Sequence, residues 1–247
     1  GNKKIQFSNI SVQDSTFYTL GAYDFQAPTV TTNSASDIRA YSVKVFGNVV
    51  DDGGLTTSRG FCWSVSPNPD ISLTTKSSNG SGTGSYNHVI TALAPNTTYH
   101  YRAYAFNSLD TVYGADSVFK TPPALPPTVT TNAILTLYTD SANVSGTVIS
   151  DGNVDLLQRG FCWGTNPGPK IGTSSVKVIT GTLGTFKAMI TGLTPGTSYH
   201  VRAYAINSID TAYGADSVFS ALSISVPTVL TGKISDQRFA TASPSKS

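Results

Sequence analysis

Few side chains in this chain could carry chemistry. Three histidines (His88, His100, His200) and two cysteines (Cys62, Cys162) are its only imidazole and thiol ligands. No two histidines stand at the helical spacing that would aim both at one ion, and no cysteine has a partner at zinc-ligand spacing. The acidic stretches Asp51-Asp52-Gly53 and Asp151-Gly152 lack the further carboxylates that a calcium loop requires, so they read as turns. No Gly-x-Ser-x-Gly elbow, phosphate loop or paired-carboxylate pattern stands in a suitable context. The chain therefore reads as no enzyme, with no catalytic residue, no cofactor and no metal site.

What must position these side chains is a repeat. Tyr99-His100-Tyr101-Arg102-Ala103-Tyr104-Ala105 returns as Tyr199-His200-Val201-Arg202-Ala203-Tyr204-Ala205, and from 99 to 119 some 17 of 21 positions are identical one hundred residues later. The four exchanges (Tyr101/Val201, Phe106/Ile206, Leu109/Ile209, Val112/Ala212) keep an apolar or aromatic side chain. A period of that length is a domain, not a solenoid unit. The division expected is an N-terminal strand or arm at 1–27, a first repeat at 28–121, a Pro-rich linker at 122–126, and a second repeat at 127–220. Residues 221–247 are then a tail, or the start of a third repeat at Pro227-Thr228-Val229.

Only 12% of residues are charged, about half the usual quarter. Twelve tyrosines against one methionine is a strand-rich balance. The net charge of +2, with no basic cluster beyond Lys3-Lys4, argues against nucleic acid. No apolar run approaches the ~18 residues of a membrane span. The opening at Gly1, without a leader-like stretch, reads as a processed product or an excerpt. Cys62 and Cys162 occupy equivalent positions, one per repeat, so they are expected to be buried, unpaired and inert.

Strand signals recur every 8–15 residues, punctuated by Gly, Pro and Asp. Tyr41 to Val50 and Ser141 to Ile149 lead into the Asp-Gly turns, and Arg-Gly-Phe-Cys-Trp follows at 59–63 and 159–163. Loops with paired prolines come next (Pro67/Pro69, Pro167/Pro169), then a weak polar edge strand and loop at 74–84. The series closes with His88 to Leu93, the Tyr99 strand and Val112 to Phe119, each with its counterpart in the second repeat. Lys4 to Val12 alternates apolar and polar residues like a lone half-buried strand. The fold class is all-β: two tandem seven-stranded antiparallel β-sandwiches with short flanking arms.

At Leu93-Ala94-Pro95-Asn96-Thr97-Thr98-Tyr99 and Leu193-Thr194-Pro195-Gly196-Thr197-Ser198-Tyr199 the chain resembles the fibronectin type III family. The resemblance covers 28–121 and 127–220. It implies that Tyr99 and Tyr199 are tyrosine corners, with the hydroxyl returned to the backbone of the preceding turn. The strand-B tryptophan of animal members has no counterpart, since Ser42-Val43-Lys44-Val45 and Ser141-Ala142-Asn143-Val144 stand there. Trp63 and Trp163 are expected to fill that core volume. No Arg-Gly-Asp is present, so integrin-type adhesion is not implied.

Alternation along the tyrosine strand turns His100, Arg102 and Tyr104, with His200, Arg202 and Tyr204, to the outer face of one sheet. Arg102, Tyr104, Arg202 and Tyr204 make a candidate interaction face for a glycan or a neighbouring subunit. The pattern Asp, then Ser or Thr, then an apolar residue or Thr recurs at Ser15, Thr111, Ser117, Ser141, Thr211 and Ser217; it is similar to an O-glycosylation signal of some Gram-negative bacteria that carry such repeats, which makes those hydroxyls candidate O-glycosylation sites. The resemblance is to a branch found in secreted and surface proteins of Gram-negative bacteria. It implies a non-enzymatic spacer or interaction module of an extracellular, adhesin-type protein. A phage virion protein and an accessory carbohydrate-binding module of a secreted glycoside hydrolase are the other readings. Protein partners or self-assembly through the terminal arms are expected, an arm buried against other chains favouring the virion or a polymer and a free two-domain rod favouring the spacer.

Overall fold

The structure, a computed structural model, describes residues 24–226. In the first repeat the strands are β1 (Thr29–Ser36), β2 (Val43–Asp51), β3 (Ser58–Ser64), β4 (Lys76–Ser81), β5 (Gly84–Ile90), β6 (Thr98–Phe106), β7 (Thr111–Tyr113) and β8 (Ser117–Lys120). In the second they are β9 (Thr128–Thr131), β10 (Thr136–Leu137), β11 (Ser141–Ser150), β12 (Gln158–Gly164), β13 (Ser175–Ile179), β14 (Gly184–Thr191), β15 (Ser198–Ile206), β16 (Thr211–Tyr213) and β17 (Ser217–Ser220). Among the described residues there is no helix.

Each repeat is two antiparallel sheets. In the first, β1-β2-β5 faces β4-β3-β6, and β7 and β8 both pair with the far side of β6. The second repeats this order, with β9 and β10 sharing the place of β1 beside β11.

Period-two patterning creates the core. Along β2, Val43, Val45 and Val49 turn inward and are fully buried, while Lys44, Phe46 and Asn48 alternate with them. They meet Phe61, Tyr101, Ala103 and Ala105 of the facing sheet. Gly47 interrupts the valines because the sheets touch there: a Cβ would lie 2.8 Å from that of Ala103 and 3.0 Å from the Tyr86 ring. Gly146 does the same against Ala203, at 2.7 Å.

The closing strand differs from the unbroken run expected at Val112 to Phe119. It is divided into β7 and β8 around Gly114, and into β16 and β17 around Gly214. The cause is a close approach by the first strand of the sandwich. A Cβ on Gly114 would lie 2.4 Å from Thr32 N, and one on Gly214 2.3 Å from Thr131 N. Here Gly114 still donates its N–H to Ala103 O at 2.9 Å, but the Ala103 N–H is accepted by Thr32 Oγ1 at 3.0 Å in place of a strand partner. The first strand of the second repeat is divided as well, into β9 and β10.

The linker is not a free spacer. Pro122 O accepts the Asn96 N–H (3.1 Å), while Leu125 donates to Gly152 O (2.9 Å). Asn153 Nδ2 reaches Pro123 O (3.1 Å), and Asn207 Nδ2 reaches Leu125 O (2.7 Å). The expected strand at 4–12 and the repeat opening at Pro227 lie outside the described residues.

Candidate functional site

On β6 the outward residues are His100, Arg102 and Tyr104, as alternation requires. The face is not open, however. The paired-proline loop between β3 and β4 folds back over it and is tied down at several points. Cys62 Sγ donates to Pro69 O at 3.2 Å, and Tyr113 Oη accepts the Ile71 N–H at 3.1 Å. Asp116 Oδ2 accepts the Asn68 N–H at 3.1 Å and also sits 2.8 Å from His100 Nδ1. Every one of these ties recurs in the second repeat, through Cys162 and Pro169, Tyr213 and Ile171, Asp216 and Gly168, and Asp216 and His200.

The burial of its tyrosines corrects the candidate interaction face. Tyr104 is 6% exposed and Tyr204 0%, and neither can present a ring to a ligand. Tyr104 donates its hydroxyl to Ser77 O at 2.7 Å, and Tyr204 accepts from Gln158 Nε2 at 2.5 Å. Burial raises both phenol pKa values. Gly60 and Gly160 make room for these rings, since a Cβ there would lie 2.6 Å and 2.8 Å from the hydroxyls. Arg102 and Arg202 stack on Tyr113 and Tyr213, at 4.6 and 4.7 Å, and donate Nε–H to Gly114 O and Gly214 O. The cation–π pair exists, but with a partner on the neighbouring strand, and it serves the fold.

Both thiols lie beneath the folded-back loops, fully buried and unpaired. Burial pushes each pKa up to about 11, so the reactive thiolate is scarce at neutral pH. Trp163 joins the core, while Trp63 is half-buried and stacks on His88 with ring centroids 6.2 Å apart. Desolvation lowers the His88 pKa. The tyrosine hydroxyls reach the preceding turns: Tyr99 accepts the Ala94 N–H at 3.0 Å, Tyr199 the Thr194 N–H at 2.9 Å.

Among the candidate glycosylation hydroxyls, Ser141 is buried and donates to Asp140 Oδ1, which removes it from reach. Thr111, Ser117, Thr211 and Ser217 are half-buried, and Ser15 lies outside the described residues. No group of three or more His, Cys, Asp or Glu that could hold a metal is found among the described residues.

The residues that sequence reasoning does not single out include those that fix the modules to each other. Arg39, in the turn between β1 and β2, places Nη2 2.7 Å from Asp151 Oδ2 and 3.2 Å from Asp155 Oδ1. Its neighbour Ala40 is fully buried and donates its N–H to Asn153 O at 3.1 Å. Arg59 and Arg159 lie over Tyr86 and Phe186, both at 4.8 Å, and donate to turn carbonyls. Their recurrence in Arg-Gly-Phe-Cys-Trp is the signal that could have found them. Arg39 has none, because Tyr138 stands at its place in the second repeat.

No protein-family model matches the chain, and no curated protein matches it. Solved structures similar to it include the FN1–FN3 domains of chicken CNTN1. These share 15% identity over 81% of this chain and 69% of that one, with a TM-score of 0.34. A two-domain fibronectin type III segment of chicken tenascin shares 13% identity over 79% of this chain and 100% of that one (TM-score 0.31). The sensor domain of the anti-sigma factor RsgI4 of Pseudobacteroides cellulosolvens shares 21% over 39% of this chain and 95% of its own (TM-score 0.28).

Proposed function

Taking the two repeats as fibronectin type III-like sandwiches, we propose that the protein is a non-enzymatic spacer and interaction module of an extracellular, adhesin-type bacterial surface protein. The observation that carries this reading is the junction. The linker backbone is bonded to both sandwiches, and Arg39 and Ala40 of the first grip the turn of the second. A pair held this way keeps whatever lies at its two ends at a set distance and angle. The tyrosines and arginines of the candidate face are consumed in folding, and the repeat of the loop ties in both modules is the mark of a shared scaffold. Protein partners, or further copies, are engaged through the arms outside the two sandwiches.

The test is nitrogen-15 relaxation on the whole chain, fitted separately for each sandwich. A spacer gives one shared, elongated rotational diffusion tensor. Two independent tensors would overturn the reading.

A further inference from the structure

The junction inside the chain has a counterpart at the chain's other described end. In the second repeat the socket for Arg39 is a turn in which Asp151 Oδ1 accepts the Asn153 N–H at 2.9 Å, leaving Oδ2 for the guanidinium. In the first repeat Asp52 Oδ1 accepts the Gly54 N–H at 2.9 Å in the same way. The clamp behind the turn is also the same. Asn207 Nδ2 holds Leu125 O and Asp151 O, at 2.7 and 2.8 Å, while Asn107 Nδ2 holds Gln26 O and Asp52 O, at 2.7 and 3.1 Å. Gly152 and Gly53, both at positive φ, let the incoming chain pass so closely that a Cβ would lie 1.9 Å from Leu125 O or Gln26 O. Residues 25–26 thus cross the first sandwich as the linker crosses the second.

The difference lies in what covers the turn. Val154, in the turn that Arg39 and Ala40 grip, is 6% exposed, whereas its counterpart Leu55 is half-exposed. Among the described residues no cation is paired with Asp52. Thr56 stands where Asp155 is, so this socket offers one carboxylate instead of two.

We infer that the turn at 51–55 of the first sandwich is a docking face for the end of another β-sandwich whose first inter-strand turn carries a guanidinium, as the turn at 37–42 does here. Continuity with the occupied junction and charge complementarity support that occupant over a generic ligand. Arg39 of an incoming module would reach Asp52 Oδ2, its following N–H would reach Gly54 O, and its apolar end would cover Leu55. This rests on the spacer reading and extends it, giving the chain a specific receiving end for head-to-tail addition.

The experiment inserts an extra copy of residues 28–126 immediately before Pro28 of the full chain, so that the added Arg39 faces the original Asp52. Residual dipolar couplings then report the angle at each junction. The expected result is the same inter-sandwich orientation at the new junction as at the natural one. Asp52→Asn in the original module should abolish that alignment and leave the junction at 151–155 unchanged. A new junction that tumbles freely, or one indifferent to Asp52→Asn, overturns the inference. So does a chemical-shift response at Lys3 or Lys4 when Asp52→Asn is made in the natural chain, because the socket would then belong to the chain's own N-terminal segment. A natural junction that itself tumbles freely would instead sink the spacer reading, which keeps the two failures apart.

Discussion

The hydroxyl of Tyr199 accepts a backbone N–H while its ring is almost wholly inside, 8% exposed and stacked on Phe219 with ring centroids 5.9 Å apart. Tyr199→Phe keeps the packing and removes the acceptor, leaving Thr194 N–H unpaired. A loss of about 1–3 kcal/mol is expected, read as a lower denaturant midpoint at unchanged slope. The cysteines make a second test at this scale. With both pKa values near 11 and both thiols covered by the folded-back loops, a maleimide at pH 7 should label the native chain slowly and the denatured chain at once. Rapid native labelling would mean the loops open readily. His88 gives the pH dependence. Burial lowers its pKa below the ordinary imidazole value of about 6.5, so the unfolded chain binds a proton there more readily than the fold does. The stability it allows is complete above about pH 6.5 and is lost as pH falls toward the folded value. Comparing denaturant midpoints at pH 7 and pH 5, His88→Gln should show a smaller drop than the natural chain.

Each element here is held by contacts that the sequence displays very unevenly. Alternation along β6 is readable residue by residue, and it places Tyr99 inward and Tyr104 outward as the structure has them. It says nothing of a loop that returns over the outer face. Those ties join residues 42 and 48 positions apart, Tyr113 with Ile71 and Asp116 with Asn68, and no local pattern marks such a meeting. The divided closing strand is legible only afterwards, in the glycine of Tyr113-Gly114-Ala115, because the clash it avoids lies on a strand some eighty residues away. The strongest test at this scale is Gly60, where the outer tyrosine and the edge strand crowd one point. A Cβ would lie 2.0 Å from Ser77 O, a backbone atom that cannot swing aside. Gly60→Ala should therefore cost about 3 kcal/mol or more by forcing β3 and β4 apart. The matching change at Gly160, 2.0 Å from Lys177 O, should do the same in the second repeat. A tolerated substitution at either position would contradict the strand pairing.

For the molecule as a whole, the informative departure from repetition is Arg39. The modules match closely in what folds each one and differ where one must hold the next, so a comparison of the repeats alone passes over the junction. The ion pair is partly exposed, with 34% of the Arg39 side chain and 18% of that of Asp151 open to solvent. Pairs of that kind contribute about 0–1 kcal/mol. Arg39→Ala should therefore leave the unfolding midpoint of both sandwiches within about 1 kcal/mol of the natural chain. Its effect belongs to orientation instead. The remaining ties at the junction are the Ala40 to Asn153 hydrogen bond and the linker bonds at 122–125. Without the guanidinium the turn at 37–42 keeps only the Ala40 bond to the turn at 151–155, and small-angle scattering should show a broader range of end-to-end distances. Salt offers a check without mutation. Raising ionic strength from 0.15 M toward 1 M shortens the screening length from about 8 Å to about 3 Å. The natural chain should then move part of the way toward the Arg39→Ala profile, and the variant should not respond. If the variant scatters like the natural chain at low salt, the backbone ties alone set the angle and Arg39 is a bystander.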